Sequence, residues 1–220
     1  GYRDSFTSKS PEQKAAWISG FYGSGKSHLA KVLRYLWINF TFPNGATARS
    51  LAHLPEEITD LLTEITTLGK RHNGLHMAGG TLKAGVGSVR MRVLSLFFKS
   101  VGLPEAYPYA KFLMHLKRDG KFDAFKQAIE DHGKSFTQQL GRLYTSGAVA
   151  KAYVSCYDHL KDPSQVGALL RAEYPNVDDV SMDEMRSTIR DAISADGKIP
   201  CTLLVLDETQ QFIGQDGQTA

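Results

Sequence analysis

The segment Gly20-Phe-Tyr-Gly-Ser-Gly-Lys-Ser27 constrains this chain more than any other. It matches G-x-x-x-x-G-K-[ST], a turn that ordinarily joins a strand to a following helix. The apolar run Ala15-Ala-Trp-Ile-Ser19 precedes it and reads as a buried strand. Leu29, Val32, Leu33 and Leu36 follow at helical spacing, which predicts a helix over Lys26–Trp37. Gly20 and Gly25 permit backbone angles and a close approach that a Cβ would block, and Gly23 adds further freedom. The amides from Gly20 through Phe21, Tyr22, Gly23, Ser24 and Gly25 then form an anion nest at the positive end of the helix. Lys26 brings an ammonium to the β- and γ-phosphates of a nucleotide, and Ser27 offers a hydroxyl to Mg²⁺.

A second segment supplies the complement. In Leu203-Leu-Val-Leu-Asp-Glu208 four apolar residues end in two carboxylates. That places Asp207 at the carboxyl end of a buried strand, where open parallel sheets keep their ligand crevice. An acidic group there holds Mg²⁺, directly or through water. Glu208 is placed to orient and deprotonate the water that attacks the γ-phosphate. The chain has no guanine-reading N-K-x-D sequence, so ATP is the expected nucleotide.

Composition excludes other classes. With 42% hydrophobic and 22% charged residues in 220, the chain is neither a disordered tail nor a small disulfide scaffold. The net charge of +3, from 26 basic and 23 acidic residues, is too small to mark a nucleic-acid footprint. No run reaches the roughly 18 apolar residues that a membrane span needs. Gly1-Tyr-Arg-Asp4 has no starting Met and no signal core, and reads as a piece of a longer cytosolic chain. Cys156 and Cys201 have no neighbouring Cys or paired His, which predicts reduced structural thiols rather than a zinc site.

Along the chain, Arg3–Gln13 reads as loop or frayed helix end, Phe42–Gly45 as a turn, and Glu56–Leu68 as a helix. Leu75–Leu82 is a strand weakened by Gly79-Gly80. Ser88 caps a helix over Val89–Val101, and short helices separated at Gly120, Gly133 and Gly147 fill Tyr109–Tyr157. Further helices are expected at Gln165–Glu173 and Met182–Ala195, the latter with a Ser181/Glu184 capping box. Phe97, Phe98, Phe112, Phe122, Phe125 and Phe136 fall at helical intervals and read as core. The layout is α/β: a P-loop NTPase (ASCE-like, and AAA+/ASCE-like by the resemblance given below) parallel sheet with a helical insertion, expected to be incomplete at the C-terminus. Residues 1–220 form a partial P-loop ATPase domain, with 100–197 the mostly helical insertion.

The wording of both ends resembles a family. Trp17-Ile-Ser-Gly-Phe-Tyr-Gly-Ser-Gly-Lys-Ser-His-Leu-Ala-Lys-Val-Leu33, with Leu203-Leu-Val-Leu-Asp-Glu-Thr-Gln-Gln-Phe-Ile-Gly214, is similar to the large P-loop ATPases of BREX phage-defence systems, the BrxC/PglY type. The resemblance implies an AAA+-like ATPase that uses ATP and Mg²⁺ through Lys26, Ser27, Asp207 and Glu208. It also implies self-association and work beside a DNA methyltransferase and other defence proteins. The chain stops soon after Glu208, so a sensor-1 residue and an arginine finger are missing, and the isolated 220 residues are expected to hydrolyse ATP hardly at all.

Two other readings share the motifs: a stand-alone DNA-handling AAA+ ATPase, such as an initiator or loader, and a scaffold that holds nucleotide for signalling. Glu208 argues against the scaffold. DNA contact would need a basic module, and Arg90/Arg92 and Lys117/Arg118 read equally well as solvated helix faces. His28 follows Ser27 and either moves a proton or simply sits on the helix surface or against the sheet. Phe21 and Tyr22 flank the phosphates or pack. Thr209, Gln210 and Gln211 are candidates for sensing the γ-phosphate, and Tyr2–Phe6 for the adenine pocket by location.

Overall fold

The computed structural model describes residues 15–82, 87–157 and 161–209. Arg3–Gln13, Tyr2–Phe6, Gln210 and Gln211 therefore lie outside the described residues. The chain divides into two compact units, one from residues 1–84 with 193–220, the other from 85–192.

In the first unit, helix α1 (Lys26–Ile38) starts at Gly25, whose φ of 83° is left-handed. It stops at Asn39, also left-handed at φ 49°. There the Phe40 N–H returns to the Tyr35 carbonyl at 3.0 Å, the 6→1 bond of a Schellman end. Helix α2 (Ala48–Leu51) follows a turn closed by Gly45 N–H on the Phe42 carbonyl at 2.9 Å, and α3 (Glu56–Gly69) comes next. Arg49, on α2, ties these helices together. It donates to the carbonyls of Leu36 and Trp37, each at 2.8 Å, to Leu62 O at 3.1 Å and to Thr66 Oγ1 at 2.9 Å. Its charge thus sits on the last carbonyls of α1, where the helix dipole favours a cation.

Strands β1 (Leu75–Thr81) and β2 (Cys201–Asp207) pair in parallel, from Leu75 opposite Cys201 to Thr81 opposite Asp207. The pairing continues one residue beyond each end, through Cys201 N–H on Gly74 O (3.0 Å) and Leu82 N–H on Asp207 O (2.9 Å). Gly79 is required: a Cβ there would lie 2.5 Å from the Val205 carbonyl oxygen. Trp37 is buried and clamps α1 to the strands through its indole N–H, on His76 O at 2.9 Å and Cys201 O at 3.3 Å.

Two expectations for this unit are corrected. Ala15–Ser19 has no strand geometry and is exposed, Trp17 at 69%. A strand must pair its amides and carbonyls with a neighbour, and β1 and β2 are paired only with each other among the described residues. For the same reason β2 is half-buried rather than buried, and Leu29 and Leu33 of the α1 stripe remain exposed.

The second unit is helical and densely packed. It comprises α4 (Val89–Ser100), α5 (Tyr107–Arg118), α6 (Phe122–Glu130), α7 (Phe136–Leu140), α8 (Gly147–Cys156), α9 (Pro163–Glu173) and most of α10 (Met182–Ile193). The Ser88, Ser146 and Ser181 hydroxyls cap α4, α8 and α10 by accepting from Met91, Val149 and Glu184 amides at 3.2, 3.2 and 3.1 Å. Gly120 and Gly133, at φ 65° and 66°, end α5 and α6 as expected, whereas Gly147 opens α8 instead of separating helices. Phe98, Phe112, Phe125, Leu116, Ile129 and Leu170 are fully buried in its core, with Phe122 and Phe136 packed against them. Phe97 is buried as well. The phenylalanines are core, as their spacing predicted.

The basic pairs in this unit are engaged locally. Arg90 is ion-paired with Asp179, Lys117 lies over the Phe122 ring, and Arg118 is 3.7 Å from Asp119. Cys156 and Cys201 are buried free thiols, and burial pushes the Cys201 thiol up to about 11. Among the described residues no helix is long and apolar enough to cross a membrane.

Candidate functional site

The glycine-rich turn folds back on its own lysine. Ser24 N–H bonds the Phe21 carbonyl at 3.2 Å, and Gly23 and Gly25 take φ of 80° and 83°, angles that side chains resist. Gly20 has little room for a side chain, since a Cβ there would lie 2.9 Å from Ser24 Oγ. Inside the turn the Lys26 ammonium donates to Gly20 O at 2.7 Å and Phe21 O at 2.8 Å, and approaches Ser24 Oγ at 3.4 Å. The cation is therefore held by the carbonyls of the turn at the helix N-terminus, an end whose dipole favours an anion.

From the residue after Lys26 onward, Ser27, Lys31 and Arg34 of α1 face a crevice whose opposite wall is Thr81, Val205 and Asp207. All six belong to the first unit. Arg34 is turned toward Met77, its Nε 3.2 Å from Sδ. The two expected metal ligands, Ser27 and Asp207, thus share one small cleft, although they are distant in sequence. Their hydroxyl and carboxylate are hard oxygen donors. Mg²⁺ is ordinarily held by one or two carboxylates together with phosphates and waters, so this donor set fits it.

Glu208 is half-buried directly after β2 and does not line that cleft. Its φ is 57°, a left-handed conformation uncommon for a residue with a long side chain, and its amide turns back to Asp207 Oδ1 at 3.0 Å. Such backbone strain costs about 1–3 kcal/mol and gathers at functional sites. Phe21 and Tyr22 point into water at 92% and 106% exposure, and His28 is exposed on the helix. None of the three packs into the turn. Thr209 is half-buried beyond Glu208.

Sequence reasoning did not pick out Lys31, Arg34 or Thr81. The first two were legible in principle, because positions i+4 and i+7 from Ser27 share its helix face. Thr81 was not, because its place beside Asp207 depends on the register of two strands separated by the whole helical unit. No protein-family model matches the chain, and no solved structure matches it.

Proposed function

We propose that the chain is the nucleotide-binding part of a Mg²⁺-dependent P-loop ATPase, similar to the ATPase component of BREX defence systems. One observation carries the reading. The turn that encloses the Lys26 ammonium leads straight into a helix whose Ser27 shares a cleft with Asp207. A glycine-rich turn of purely structural purpose needs neither a cation at its centre nor a carboxylate across from the next residue.

On this reading Lys26 exchanges its carbonyl partners for the β- and γ-phosphate oxygens of ATP, while the amides of Gly23 and of Gly25 to Ser27 hold the remaining charge. Ser27 and Asp207 would hold Mg²⁺, which when bound would screen the phosphate charge. Glu208 accepts a proton from the attacking water as its oxygen bonds to the γ-phosphorus and the bond to the bridging β–γ oxygen breaks. Because Glu208 lies outside the cleft, its carboxylate reaches the nucleotide only by a change of side-chain or backbone conformation. In a BREX-type complex in the cytosol, binding would order copies of the chain or its methyltransferase partner, and hydrolysis would reset them.

The test is ATP turnover by the intact protein. Glu208→Gln is expected to keep ATP binding and lose hydrolysis by about 10²–10⁴-fold, the usual contribution of a general base. Equal loss of binding and hydrolysis would make Glu208 a structural residue.

A further inference from the structure

We infer that Thr81 is a positioning residue for the Mg²⁺ site, its hydroxyl holding a water of the ion's coordination sphere beside Asp207. The inference rests on the ATPase reading above and adds a residue to it. Thr81 and Asp207 are register partners at the ends of β1 and β2. Leu82 N–H on Asp207 O, at 2.9 Å, keeps the strands paired through that last position. Parallel strands lie about 4.8 Å apart and carry register partners on the same face. Both side chains accordingly line the cleft that Ser27 lines from α1.

The chemistry suits the placement. Mg²⁺ gives up its waters reluctantly, so most of its protein contacts run through them. Each such water has protons to donate, and a threonine hydroxyl accepts them without adding a charge. Among the described residues Asp207 supplies the one carboxylate lining the cleft, and Lys31 and Arg34 of α1 supply cations. A neutral acceptor on the strand side lets the ion keep its waters without a second carboxylate. The alternative is that Thr81 is present only because a β-branched residue suits a strand. Valine would serve that purpose equally, and this separates the two.

The experiment is a Mg²⁺ titration of the intact protein with a fluorescent, non-hydrolysable ATP analogue, repeated in EDTA, for wild type, Thr81→Val, Thr81→Ser and Lys26→Ala. Thr81→Val is expected to raise the Mg²⁺ midpoint by about 10–100-fold, the range seen when a partner behind a metal ligand is removed. Nucleotide affinity in EDTA should not change, and Thr81→Ser should restore the wild-type midpoint. An unmoved midpoint in Thr81→Val, or an equal loss with and without Mg²⁺, would overturn the inference while leaving the ATPase reading standing. Undiminished binding by Lys26→Ala would remove that reading and the inference with it.

Discussion

Trp37 donates its indole N–H to the carbonyl of His76 at 2.9 Å, and the same group lies 3.3 Å from the carbonyl of Cys201. One side chain near the end of α1 thereby reaches the first residues of both paired strands. The helix that begins at the glycine-rich turn is fixed at its other end by this contact and by Arg49. Replacing Trp37 with Phe keeps the apolar bulk and removes the donor. A loss of about 1–3 kcal/mol, the cost of unsatisfied buried polar groups, is expected in urea unfolding. An unchanged midpoint would mean the indole contributes packing alone.

Gly79→Ala tests the closeness of the two strands. The added methyl would lie 2.5 Å from the Val205 carbonyl oxygen, and backbone cannot yield as a side-chain tip does. The strands must part, at an expected cost of about 1–3 kcal/mol by urea unfolding. The separation also moves Asp207 from Ser27, so Mg²⁺-dependent nucleotide binding should weaken more than the stability loss alone explains.

Glu208 separates strain from chemistry. Its left-handed φ of 57° is one that glycine adopts freely. Glu208→Gly is expected to hold or raise thermal stability, by up to about 1 kcal/mol once the extra flexibility of the unfolded chain is offset. It should abolish ATP turnover by the intact protein. A large fall in stability would show that the Glu208 side chain supports the strand end rather than the reaction.

The helical unit has its own acid dependence. Hydrogen bonds from Arg90 and Ser88, opposed by partial desolvation, hold the Asp179 carboxyl well below the ordinary carboxylate range. A depressed folded-state value contributes stability above the unfolded-state pKa, near 3.9, and that contribution disappears as pH falls toward the folded-state value. Asp179→Asn should therefore lower stability at neutral pH and flatten the decline between about pH 4 and pH 2, compared by urea midpoints. Parallel acid limbs in the two proteins would count against the linkage.

Elements closed by local signals were legible in the sequence. Ser88 and Ser181, with their first-turn amide partners, mark α4 and α10, and the phenylalanine spacing marks the core of the helical unit. Gly20 to Ser27 marks the turn and Asp207 the strand end. What depends on partners far along the chain was not. Ala15–Ser19 has a strand's composition but no described neighbour to pair with. Thr81 meets Asp207 only through strand register, and the strain at Glu208 is a property of the backbone that no residue type announces.

The most direct measurement is Mg²⁺-dependent binding of a fluorescent ATP analogue to the intact protein, with Lys26→Ala alongside and unlabelled ATP and GTP as competitors. Lys26 Nζ is bonded to the Gly20 and Phe21 carbonyls of the turn, and on the proposed reading its removal takes away the principal cation for the phosphates. Binding should vanish in Lys26→Ala, and in the wild type ATP but not GTP should displace the analogue. Binding that survives the substitution would reduce the turn to a structural feature and contradict the assignment of this chain as a P-loop ATPase.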